Sequence, residues 1–186
     1  SWLWARVYHR VVLHPCEDRL GPYLRCWSAG SVIKEARDPA FVSWHQDSTY
    51  WGLSSPDVVT AWVALSPSTL ESGAMRVVPS THAGQVAHRD TFKEGNLLTR
   101  GQEVMVDVDG SNAVDLVLDP GEMSLHHVRL IHGSEPNRAD DRRIGFAIRY
   151  IPTSIRQVVG PRDSATLVRG IDEFHNFDHE TGPESE

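Results

Sequence analysis

His45 and Asp47 stand two residues apart, directly after the apolar run Phe41-Val42-Ser43-Trp44, and His132 stands before Gly133-Ser134 far along the chain. Two imidazoles and one carboxylate suit a divalent iron ion and leave half of its coordination sphere open. An iron(II) centre that binds a bidentate co-substrate and O2 needs that arrangement: three protein ligands on one side, three open positions on the other. In an extended strand, residues two apart project from one face, so the spacing predicts that His45 and Asp47 point the same way and that the third ligand comes from another strand.

With 10 His in the chain, a His-x-Asp triplet is weak evidence alone, and a second one occurs at His88-Arg89-Asp90. That copy lies in the polar stretch 84–96, where no alternation holds its side chains on one face, whereas His45 has a strand in front of it. For the third ligand, His132 ends an alternating run at a turn, with His126 and His127 as rivals; the plainer role for any of them is packing or hydrogen bonding.

Arg143 opens the segment Ile144-Gly145-Phe146-Ala147-Ile148-Arg149-Tyr150. Its own face carries the small residues Gly145 and Ala147, while Ile144, Phe146, Ile148 and Tyr150 occupy the other. An always-charged, planar fork beside an open space is suited to clamp a carboxylate such as the distal end of 2-oxoglutarate. The plainer alternative is a surface ion pair with Asp140 or Asp141.

The elements that must position these groups read as short strands with turn punctuation. Pro15 to Leu20 reads as a helical turn stopped by Gly21-Pro22. Tyr23 to Lys34 and Phe41 to Tyr50 flank the charged turn 35–39 and are expected to pair antiparallel. Val58 to Leu65 is apolar on both faces, hence interior. Ala74 to Pro79, Ala113 to Leu118, Met123 to His132 and Arg143 to Ile151 continue the strand rhythm. Between them, 81–112 is a polar excursion with one strand-like run, 102–108, of the kind that forms lids or binding loops. One domain over 1–171, all-β with minor helices, is expected, of sandwich or jelly-roll type. An acidic tail, 172–186, is expected to fray. The chain begins at Ser1 inside patterned structure, so an upstream segment is expected to be missing.

Composition narrows the partners. Hydrophobic residues are 40% and charged residues 23%, ordinary for a folded domain, and the formal charge is −7. Lys and Arg are scattered, which argues against nucleic acid or an anionic membrane and for a small-molecule substrate. No apolar run reaches membrane-span length. Two cysteines, Cys16 and Cys26, read as reduced, buried thiols, hence a cytoplasmic setting. Oligomeric state is not encoded legibly.

Taken together, Trp44-His45-Gln46-Asp47, Thr60-Ala61-Trp62-Val63-Ala64-Leu65, Gly73-Ala74-Met75-Arg76-Val77-Val78-Pro79-Ser80-Thr81-His82 and Leu130-Ile131-His132-Gly133-Ser134 resemble the phytanoyl-CoA dioxygenase family over about Lys34 to Pro152. The resemblance implies a double-stranded β-helix, or cupin-like jelly roll, with iron(II) on His45, Asp47 and His132 and the far carboxylate of 2-oxoglutarate on Arg143, eleven residues past His132. It also implies that Ser134 assists that carboxylate and that Gln46 and Trp62 line the pocket. The activity implied is O2-dependent hydroxylation of a small organic molecule with release of succinate and CO2. Halogenating relatives replace the carboxylate ligand by a small residue; Asp47 is present, which favours hydroxylation. Trp44, Tyr50 and Trp51 are placed to form an apolar substrate wall, although aromatics at strand positions more often belong to a core. Two rival readings keep the residues but change the chemistry: a cupin-like zinc or manganese hydrolase or isomerase, and a non-catalytic module that binds a metal or small acid.

Overall fold

The computed structural model describes residues 2–182. Helices α1 (Trp2–Arg6) and α2 (Arg10–Leu20) come first, and α2 begins five residues before the expected Pro15. A proline inside a helix costs about 3 kcal/mol. Burial of Val12, Leu13 and Cys16 along one face of α2 offsets it, at about 1.5–3 kcal/mol for each large apolar side chain.

Next come β1 (Leu24–Lys34), β2 (Val42–His45), the single turn α3 (Ser48–Trp51), β3 (Val59–Ala64), β4 (Met75–Val77), β5 (His88–Asp90), β6 (Gln102–Val104) and β7 (Val114–Leu116). β8 (Met123–His127), β9 (His132–Ser134), β10 (Arg143–Pro152), β11 (Ser164–Arg169) and β12 (Asp178–His179) complete the set. They form a six-stranded sheet in the order β12-β11-β1-β10-β3-β8, a four-stranded sheet β2-β9-β4-β7, and the separate hairpin β5-β6. The all-β jelly-roll expectation holds. Among the described residues no helix is long and apolar enough to cross a membrane.

Both faces of β3 are buried, as its apolar alternation requires. Val59 and Ala61 pack with α2 residues and with Phe146, Ile148 and Tyr150 of β10 on the outer side. Trp62 and Ala64 meet Met75, Val77 and Ala147 between the sheets. Cys16 and Cys26 are free, buried thiols within the outer cluster, and burial pushes both up to about 12.

Three expected features are corrected. β1 does not pair with β2: it pairs with β10 and β11, and β2 pairs with β9 in the other sheet. The turn 35–39 is a crossing between sheets, tied to a distant loop by Arg37 N–H to the Ala139 carbonyl (3.0 Å) and Asn137 N–H to the Asp38 carbonyl (3.1 Å). The run Met123 to His132 is divided, because the chain turns at Val128, Leu130 and the buried Ile131 and passes from β8 to β9; His132 therefore starts a strand. Finally, 172–182 packs where fraying was expected. The Asp172 carboxylate pairs with the buried Arg25 guanidinium, Phe177 is buried, and β12 runs parallel to β11. The remainder of that tail, 183–186, lies outside the described residues.

At the open end of β1, Lys34 is fully buried, lies across from Arg143, and donates from Nζ to the Glu135 carbonyl. Asn137 locks the same loop, donating to the Glu35 and Asp141 carbonyls at 2.8 and 2.9 Å. Burial, helped by the Arg143 guanidinium, lowers Lys34 to about 7 from its ordinary 10.5. Above pH 7 the unfolded chain then holds a proton that the folded chain lacks, so this group makes stability rise with pH. Urea denaturation of Lys34→Met against the parent should show the parent gaining stability from about pH 7 to 8.5 relative to the variant, a comparison in which ionisation of the unfolded chain's two thiols near pH 8.5 cancels. Parallel curves would show that Lys34 keeps its ordinary proton affinity.

Candidate active site

His45 closes β2 and His132 opens β9, and the antiparallel register sets them opposite each other. Their ring centroids lie 4.1 Å apart. The neighbour of His132 must be glycine, because a Cβ on Gly133 would meet the Val42 carbonyl oxygen at 2.8 Å. Asp47 does not continue the strand. Its backbone is helical (φ −62°, ψ −36°) and it leads into α3, so the chain turn rather than strand alternation swings its carboxylate back, to 3.3 Å between Oδ1 and His45 Nε2. One ligand atom from each of His45, Asp47 and His132 lies within 4.8 Å of the others.

Each imidazole is oriented by the backbone carbonyl two residues before it. His45 Nδ1 contacts the Ser43 carbonyl and His132 Nδ1 the Leu130 carbonyl, both at 2.9 Å. A carbonyl only accepts, so both Nδ1 atoms carry the proton and both Nε2 lone pairs remain for a metal. Burial, with His45 next to it, lowers His132 to about 3. Burial alone would raise Asp47, but its contact with His45 and the neighbouring His132 and His126 outweigh it and hold the carboxyl well below the usual carboxylate range. Asp47 and His132 are thus in ligand form at neutral pH, and the donor set fits a divalent metal of the iron class.

The triad opens into a cavity of about 360 Å³ between the sheets, which Arg143, Ser134, Trp62 and Ala147 also line. Arg143 is 2% exposed, its Nε has no hydrogen-bond partner, and its guanidinium carbon stands 5.4 Å from the Trp62 ring centre. Burial lowers it to about 10, which leaves it charged at neutral pH. Neither acid offered as its surface partner meets it: Asp140 pairs with Arg37, and among the described residues Asp141 makes no ion pair with Arg143. The expected space beside Gly145 is filled, since a Cβ there would fall 2.0 Å from the Trp62 ring. The small residue therefore seats the indole, and the indole seats the guanidinium.

Gln46 does not line the cavity. It is fully buried and faces away, donating to the Gly84 and Arg129 carbonyls (2.9 and 2.6 Å) and accepting from Val86 N–H (2.9 Å). Nor do the three aromatics form the wall. Trp51 stacks edge-on with Trp27, Trp44 sits under Arg76, and the Tyr50 hydroxyl donates to Asp90. The apolar lining comes instead from Val32, Val42, Met75, Leu97 and Leu98. His88, of the second triplet, is a brace: its Nε2 accepts the Gln46 N–H at 2.8 Å, behind the metal loop. The sequence reading passed over Arg149 and Thr60 as site residues, although the alternation that groups Arg143, Gly145 and Ala147 continues to Arg149.

Residues 3–145 match the family model described as Phytanoyl-CoA dioxygenase (PhyH). The chain belongs to the phytanoyl-CoA dioxygenase family. Among curated members, it is 29% identical over 125 residues to a probable alpha-ketoglutarate-dependent hypophosphite dioxygenase of Stutzerimonas stutzeri, covering 64% of this chain and 42% of that protein. It is also 29% identical over 154 residues to L-proline trans-4-hydroxylase of Streptomyces griseoviridis, covering 72% and 57%. Among solved structures, the apo form of the non-heme monooxygenase ThoJ superposes with a TM-score of 0.85 at 38% identity, covering 96% of this chain and 65% of that one. The chain thus spans about half the length of the curated relatives it matches.

The Gly145 and Trp62 contact makes a direct test of how the arginine is seated. Gly145→Ala should destabilise the fold by about 1–3 kcal/mol in urea unfolding, as overpacking does, and shift tryptophan emission. Unchanged stability and emission would mean that the indole is free to move aside.

Proposed function

We propose that the chain is the catalytic core of a mononuclear iron(II), 2-oxoglutarate-dependent dioxygenase that hydroxylates a small organic molecule and releases succinate and CO2. One observation carries the reading: a buried guanidinium, Arg143, with no carboxylate partner among the described residues, opens into the same cavity as two imidazoles and a carboxylate. A buried charge without a partner is costly, and an incoming carboxylate relieves it. A hydrolytic zinc or manganese site of the same ligands does not by itself require that cation.

In this reading the Nε2 atoms of His45 and His132 and the Asp47 carboxylate hold iron(II). Arg143 takes the distal carboxylate of 2-oxoglutarate, with Ser134 beside it and Trp62 as the wall that fixes the guanidinium plane. When bound, iron(II) with 2-oxoglutarate supplies the activation of O2 needed to place one oxygen atom in a C–H bond. The protein orients the groups and keeps water out of a site whose ligands are almost wholly buried. No side chain has to act as a general base. The reading is supported by the family and by the alpha-ketoglutarate dependence named for one relative. It places the enzyme in the cytoplasm, where Cys16 and Cys26 stay reduced, acting on a small molecule rather than nucleic acid or membrane.

Anaerobic titration with Fe(II) and 2-oxoglutarate should produce the weak visible charge-transfer band of the chelate. Asp47→Ala should abolish it, and Arg143→Gln should raise the 2-oxoglutarate concentration it requires by about tenfold or more. A folded, iron-loaded protein that shows no band would leave the hydrolase or the binding module in its place.

A further inference from the structure

A second cation faces the cavity. Arg149 lies on the same face of β10 as Arg143, six residues further on, which is about 20 Å of strand at about 3.3 Å per residue. Among the described residues no carboxylate pairs with it. Its polar contact is Nη1 to Ser28 Oγ at 3.3 Å, and its guanidinium carbon lies 5.4 Å from the Trp51 ring centre, which steadies the fork without neutralising it.

The sheet register extends this into a row. Arg149 is opposite Thr60 on β3, and Thr60 is opposite His126 on β8. All three line the cavity. Thr60 is 2% exposed and His126 6% exposed. Arg149 Nε, Thr60 Oγ1 and His126 Nδ1 are all buried and all lack a hydrogen-bond partner. Three neighbouring unsatisfied polar atoms in one folded site are rare unless something else satisfies them. His126 stands 5.1 Å from His132, so the row borders the metal triad, displaced along β10 from the end held by Arg143.

We infer that Arg149, Thr60 and His126 form the subsite that recognises the primary substrate, and that the substrate carries a carboxylate. The inference rests on the dioxygenase reading and names the class of molecule it acts on. A single planar fork with one unit of positive charge, one hydroxyl and one imidazole suits a planar monoanion; a phosphate dianion would call for more cation. The carboxylate bound here leaves the adjoining carbons between the triad and the aliphatic wall of Val42, Met75, Leu97 and Leu98. Selectivity follows from the unpaired atoms: a neutral analogue leaves the half-buried Arg149 uncompensated, and discrimination of that kind exceeds what an apolar wall achieves.

The test is calorimetric titration of the whole chain, loaded with Mn(II) and saturating 2-oxoglutarate without O2, with matched acids and amides: butyrate and butyramide, hexanoate and hexanamide, benzoate and benzamide. At least one acid should bind about tenfold or more tightly than its amide. Arg149→Gln should remove that preference while leaving 2-oxoglutarate affinity unchanged, and Thr60→Val should reduce it in a second, milder way. Equal affinities across all pairs, absence of binding by every acid, or a preference that survives Arg149→Gln would overturn the assignment. Repeating the comparison in Arg143→Gln with Mn(II) alone separates the two readings. A preference kept there, in a protein whose parent form fails to bind 2-oxoglutarate, retains the acid subsite and removes the co-substrate.

Discussion

The approach of β9 to β2 is the constraint on which the site depends. A chelating pair of imidazoles from two strands requires their backbones to come within ordinary ladder distance at a point where any side chain would collide with the facing carbonyl, and Gly133 satisfies it. From that contact the rest follows in order. The register sets His45 across from His132, each ring is turned by the carbonyl two residues before it, and the chain reverses after Gln46 to deliver Asp47. Because the reversal is short, its geometry is held from behind: Gln46 bonds to two separate backbone segments, at Gly84 and Val86 and at Arg129, and His88 accepts its N–H.

The opposite wall is built on a different principle. β10 is buried on both faces, and along its inner face it alternates between charge and small size: Arg143, Gly145, Ala147, Arg149. Glycine and alanine admit neighbours: Trp62 occupies the room at Gly145, and Ala147 lies beside it in the layer between the sheets. The two arginines are thereby held at separated places on a rigid strand. Charge in the cavity is positive at both, while the cluster of His45, Asp47 and His132 contributes one carboxylate. A site so composed favours anions on electrostatic grounds before any specific contact forms.

That His45, Asp47, His132 and Arg143 would come together was legible in the sequence because they combine residue type, strand context and order along the chain, and the fold class because short strands and turns repeat. Pairing was less legible. Whether the turn at 35–39 folds back or crosses to another sheet depends on bonds to Ala139 and Asn137, a hundred residues away, which no local pattern records. Asp47 was placed on the correct side for a different reason from the real one: the spacing of two suggested alternation, but a helical turn does the work. Gln46 was misplaced because a residue between two ligands looks like a pocket residue, whereas in a reversal it points to the outside of the bend. Arg149 and Thr60 were visible in the alternation but lacked any motif, and only the burial of unpartnered atoms distinguishes them.

The excursion 81–112 is tied to the centre at several places. Through Leu97 and Leu98 it supplies part of the apolar wall, through His88 it touches the backbone of the turn that carries Asp47, and through Asn96 it bonds the Ser43 hydroxyl on β2. Insertions in long surface loops are ordinarily the freest material for evolutionary tinkering, since they alter what a pocket admits without disturbing the machinery beneath. Here the same strip of chain is wall and buttress together. A change that reshapes the wall at Leu97 and Leu98 therefore also acts on the run that ends in His45, because the Leu97 N–H donates to the Phe41 carbonyl at 2.9 Å and Asn96 Nδ2 to Ser43 Oγ at 2.8 Å.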